Sequence, residues 1–120
     1  MNYKLINPDY LESSVGNDIS IITELINMFR EQVVEIYEEM KLNFSKGEYY
    51  QLGMLSHKAK FSIALMGMTD LADMLKTFEL SAKESLNVEM YESYIERFYT
   101  DAKAAVLELD DYLSKKQNAS

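Results

Sequence analysis

The sequence predicts an all-α protein, an antiparallel up-down four-helix bundle with a short additional N-terminal helix. Three observations carry that expectation. Apolar residues recur at spacings of three and four through four long segments, whereas no segment alternates with period two. The 120 residues include one Pro and four Gly, too few for a many-turned β protein. The connections between the periodic segments are only two to four residues long, which favours antiparallel neighbours. Hydrophobic residues make up 48% and charged residues 27%, a globular composition, and the length suits one domain over residues 1–120.

The elements follow in order. Asn7 before Pro8 reads as an N-cap and first helical residue, opening a short helix to about Val15. Gly16 ends it, and Asn17 or Asp18 is placed to cap the next. The second helix, about Asp18 to Ser45, carries Ile19, Ile22, Ile26, Phe29, Val33, Ile36, Met40 and Phe44 on one stripe. Gly47 stops it, with Lys46 in a last turn that favours cations. The third helix, about Glu48 to Met66, buries Leu52, Leu55, Ala59, Ser62 or Ile63, and Met66. Gly67 terminates it and Thr69 is expected to cap the fourth. That fourth helix, about Asp70 to Leu86, places Leu71, Met74, Leu75, Phe78, Ala82 and Leu86 inward, with Asn87 as its break. The last helix, about Glu89 to Lys115, carries Tyr91, Ile95, Phe98, Ala102, Ala105 or Val106, Leu109 and Leu113. The short first helix is expected to lie across one end as a lid.

Composition also excludes several functions. The absence of Cys removes disulfides, thiolate metal sites and cysteine nucleophiles. A formal charge of −8 repels phosphate backbones and anionic lipid, so neither nucleic acid nor membrane is an expected partner. No apolar run approaches the ~18–20 residues of a membrane span. The stretch Met1–Pro8 has neither the apolar core nor the cleavage site of a signal peptide, and a cytoplasmic location is expected. The eight Met are read as core filling, and Glu35, Glu38 and Glu39 as a solvated face.

The single histidine, His57, stands two residues from both Leu55 and Ala59 on the third helix. It is thus about 200° from the core stripe, on the outer face. Gly53 lies one turn before it, in the space that a helical side chain leans over. A mid-helix Gly costs roughly 0.5–1 kcal/mol relative to Ala, and room for an incoming protein is the expected reason for this one. From Tyr49 through Thr69 there is no Asp or Glu, although the chain has 20 acids, so no carboxylate is expected at the ring. Lys60 is one turn away and Lys58 adjacent, with Ser62 a weaker contributor. An ammonium there stabilises a phosphoryl group on the imidazole, and a neutral ring nitrogen is a competent nucleophile.

At these residues the chain resembles a histidine-containing phosphotransfer (HPt) domain. The family pattern is roughly His-x-x-Lys-Gly-Ser/Ala, then a Gly about ten residues after the His, and His57, Lys60, Ser62 and Gly67 fall at those spacings. The likeness extends through Val15–Asp18, Phe29, Lys46–Glu48 and Leu71–Glu79, over about residues 10 to 115. It implies a bundle that relays phosphate between receiver-domain aspartates of response regulators or a hybrid histidine kinase. It also implies no kinase activity of its own and no cofactor of its own, with Mg²⁺ expected on the partner and a monomer sufficing. His57 would be the phosphorylated residue, Lys60 its electrostatic partner, and Lys58 a further support. Gly53, Ser56, Phe61 and Ala64 are the expected docking surface. Phe61 departs from the pattern, which has Gly there; its ring either contacts the partner or narrows the partner set.

Other functions fit less well. A sensor-kinase dimerisation bundle has an acid directly after its His, where this chain has Lys58. A di-iron bundle needs a Glu-x-x-His pair, but Met54 stands three residues before His57 and there is no second His. The rival that survives is a degenerate HPt domain, or another four-helix adaptor that binds signalling partners without phosphotransfer.

Overall fold

The computed structural model describes residues 3–118 as five α-helices in sequence. They are α1 (Pro8–Val15), α2 (Ile19–Ser45), α3 (Tyr49–Leu65), α4 (Thr69–Lys83) and, after a single 3₁₀ turn at Val88–Met90, α5 (Tyr91–Asn118). No strand occurs among the described residues, and none of their helices is long and apolar enough to cross a membrane.

Each long helix buries one stripe and none is stable alone in water. Packing runs round the ring α2–α3–α4–α5 and closes between α5 and α2. Side-chain register establishes the antiparallel order. Arg30 meets Asp110 while Tyr37 stacks on Tyr99 further along the α2–α5 seam. On the α3–α4 seam Gly53 lies against Lys83, whereas the later Ser56 reaches back to Leu75. The bundle is therefore the up-down form, 49 Å long and 20 Å across. Its core holds Ile22, Ile26, Ile36, Leu52, Ile63, Leu75, Phe78, Tyr91 and Phe98.

The α3–α4 hairpin is much shorter than the α2–α5 pair, so α1 and the segment before it complete the far end. The Glu108 carboxylate accepts the backbone N–H groups of Lys4, Leu5 and Ile6. The Asn7 N–H donates to Met66 O, and the Tyr112 hydroxyl donates to Glu12. Asn7 presses so closely on Gly67 that a Cβ there would clash with its side chain. Gly67 also adopts φ +80° and closes α3 in a Schellman turn, with Met68 N–H on Ile63 O and Gly67 N–H on Ala64 O.

Two helix ends differ from the expectation. Thr69 is the first residue of α4 rather than its cap; the cap position is Met68, whose side chain is buried and makes no capping bond. Core filling took the position that a hydroxyl would have used. At the other end α4 stops at Lys83, and Leu86 is 57% exposed rather than buried. The cause is a second Schellman turn, with Ser85 N–H on Ala82 O and Leu86 N–H on Ser81 O. Its left-handed position (φ +55°) is held by Ser85, not by glycine, so the stop carries no glycine signal. The Tyr91 hydroxyl anchors the reversal, within 2.9 Å of Ser81 O and 2.5 Å of Leu86 O.

Because Ser85 holds a left-handed conformation that costs an L-residue roughly 1–2 kcal/mol, Ser85→Gly should raise stability by about 0.5–1 kcal/mol after its extra unfolded-state entropy is offset. Urea denaturation measures this, with an unchanged m-value expected.

Candidate functional site

α3 and α4 meet along small residues. Ser56 is fully buried, and its hydroxyl donates to Leu75 O at 2.6 Å. Gly53 is also buried: a Cβ there would meet Lys83 Cγ at 2.9 Å and Glu79 O at 3.0 Å. Neither residue lines an outward docking face, which corrects the sequence reading of both. The glycine has its reason in the neighbouring helix, since it lets the α4 backbone and the Lys83 stem cross α3 in close contact.

This close approach brings a carboxylate to the histidine. Glu79 is nearly buried, with 8% of its side chain accessible, and both its oxygens lie 3.0 Å from His57 Nδ1. Lys60 Nζ approaches Oε1 at 3.1 Å and Lys83 Nζ approaches Oε2 at 2.8 Å. Three side chains from two helices thus converge on one carboxylate. The expectation of a ring with no acid nearby is overturned: the acid-free run is real along α3, but α4 supplies Glu79.

Burial by itself would raise the Glu79 carboxyl. Hydrogen bonds from Lys83, Lys60 and His57, with the charge of Lys60, together outweigh it and hold the group down to about 2. The carboxylate in turn pushes Lys83 up, chiefly through their hydrogen bond. An ionised carboxylate only accepts, so the Nδ1 it faces carries the proton. In the neutral imidazole the lone pair is therefore on Nε2. The ring is half-buried, with 41% of the side chain accessible.

Of the other expected residues, Phe61 stands next to the ring, edge-to-face at a centroid separation of 4.9 Å, and is 61% exposed. Lys60 Nζ also lies 5.5 Å from the Phe61 ring centre. Ala64 is half-buried on the same side of α3, while Lys58 is exposed, one residue (about 100°) further round the helix. Ser62 turns to α2, where its hydroxyl bonds Gln32 Oε1, and takes no part in the cluster. Tyr50 and Met54, two turns and one turn before His57, are exposed, as is Leu80 beside Glu79 on α4.

Glu79 and Lys83 escaped the sequence reading, although a signal was present. An acid at the 71–75–78–82 stripe of α4 needs a partner if buried, and Lys83 follows it at i+4. The direction from which α4 meets α3 was the missing piece. The chain matches no family model, no curated protein and no solved structure.

Two consequences are measurable. Because the folded-state carboxyl of Glu79 is depressed, its stabilisation is full above about pH 4.5 and drains away as the pH falls towards 2. A wild-type minus Glu79→Gln difference on the order of 3 kcal/mol near neutrality should shrink across that window in pH-dependent denaturation. Gly53→Leu should destabilise the fold by about 2 kcal/mol or more through overpacking against α4 backbone, visible as a lowered thermal midpoint.

Proposed function

We propose that this protein is an HPt-like phosphocarrier in which His57 Nε2 accepts a phosphoryl group from a receiver-domain aspartate and passes it on. The observation that carries the reading is the Glu79–Nδ1 contact. It fixes the tautomer whose nucleophilic lone pair is on Nε2, on a ring standing at the rim of a rigid helix pair.

The step follows from that geometry. The Nε2 lone pair attacks phosphorus in line, the P–O bond to the partner's aspartate breaks, and the aspartate leaves as a carboxylate. The imidazole gains positive charge while its Nδ1 proton stays hydrogen-bonded to Glu79, so the carboxylate stabilises the imidazolium as it develops. Lys60, held on the same carboxylate one turn from His57, is the ammonium that would meet the incoming phosphoryl charge. The leaving aspartate and its Mg²⁺ belong to the partner in this reading. The chain then needs no kinase activity, and a cytoplasmic signalling role follows with it.

The docking surface of this reading is not the one the sequence implied. With Gly53 and Ser56 inside, it comprises Phe61, Met54 and Tyr50 on α3, with Leu80 on α4, all exposed, and Ala64 at its edge. Phe61 stands beside the nucleophile and must fit against any partner. The same apolar patch also favours the second reading, an adaptor that binds without transfer.

A direct assay separates the two. Incubation with phosphorylated receiver domains should place acid-labile label on the wild-type chain and none on His57→Gln. Lys60→Ala should slow labelling about tenfold. Binding of the receivers with no label on wild type would leave only the adaptor.

A further inference from the structure

The cluster holds one more cation than a single partner for the histidine would require, and its path was prepared by Gly53. Lys83 comes from α4, outside the motif that places Lys60, and its stem runs over Gly53, where a Cβ would stand 2.9 Å from its Cγ. Its ammonium lies 2.8 Å from the carboxylate that holds His57 Nδ1, and is thus one carboxylate away from the imidazole, as is that of Lys60. About a quarter of the Lys83 side chain remains accessible, so it is free to turn outward on its rotatable stem.

Charge accounts for why two ammonium groups are held here. With the imidazole neutral, Glu79, Lys60 and Lys83 sum to one net positive charge. A phosphoryl group on Nε2 brings about two negative charges, and the ring becomes positive because it keeps its Nδ1 proton. The net change is one negative charge, which brings the cluster to neutrality. The new imidazolium also replaces an ammonium as a charged partner of Glu79, releasing a lysine towards the phosphoryl oxygens.

We propose that Lys83 is a second phosphoryl-holding cation, stored on Glu79 in the resting protein and transferred to the phosphoryl group as it forms on His57. The role rests on the phosphocarrier reading, and its test needs no protein partner. Phosphoramidate is a small donor: Nε2 forms the new N–P bond, the donor's P–N bond breaks, and its nitrogen leaves as ammonia. The variant Lys83→Met keeps the stem beside Gly53 and removes only the ammonium. Its initial rate of phosphohistidine formation, followed by ³¹P NMR, should fall about tenfold, and Lys83→Arg should restore most of it. Circular dichroism of both variants reports the fold separately. Labelling of Lys83→Met at the wild-type rate would overturn the proposal and leave Lys83 as a structural partner of Glu79. A slow Lys83→Arg beside a slow Lys83→Met would also overturn it, by assigning the effect to packing. A wild-type chain that takes no label, or takes it equally in His57→Gln, would instead remove the phosphocarrier reading and this role with it.

Discussion

Much of this molecule depends on a carboxylate placed where a carboxylate is costly. Glu79 lies in the seam between α3 and α4 with little access to water, and a buried acid survives in its charged form only when its lone pairs are used. Here His57, Lys60 and Lys83 use them. The donors span both helices, so the charge that burial disfavours also ties the hairpin together. It orients the imidazole, selects the proton-bearing nitrogen and collects two cations on one rim. Removing it would leave two partly buried ammonium groups facing each other beside an unanchored ring.

That arrangement needs the two helices to be unusually near. Gly53 and Ser56 provide the approach: one lacks a side chain, and the other satisfies its buried hydroxyl on Leu75 O. Both positions are on the flank of α3 rather than its outer face, and small residues on that flank let α4 backbone come into contact. A groove of this kind is rigid because every polar group in it has a partner; no buried side-chain polar atom is left unsatisfied among the described residues. A side chain carried on such a support has little conformational entropy left to lose.

The surface round the site differs from the rest of the chain. The protein carries a formal charge of −8, yet α3 contains no acid and presents Tyr50, Met54 and Phe61 outward. α3 is thus apolar on its inner face and, near His57, on its outer face as well. A helix with that distribution is suited to contact on both sides. Glu35, Glu38 and Glu39 on α2 are exposed, and an acidic face of this kind repels anions.

Periodicity in the sequence was sufficient for the class of fold, the number of helices and nearly every core position, because burial of one stripe per helix is a local property of spacing. The stripe on α2 from Ile22 to Met40 and that on α5 from Tyr91 to Leu113 are buried as read. The stop after α4 was misread because Ser85 adopts a conformation that composition assigns to glycine. Counting residues round the helix set His57 off the core stripe, but not at the α3–α4 seam, where the ring is half-buried on Glu79. What touches it was not legible. Which neighbour packs against that side, at what depth and in what register, depends on the approach of α4, and no spacing within α3 encodes it. Tertiary packing alone turned Gly53 and Ser56 inward, brought Glu79 under the imidazole and sent Lys83 across the glycine, because those contacts join residues some twenty to thirty positions apart.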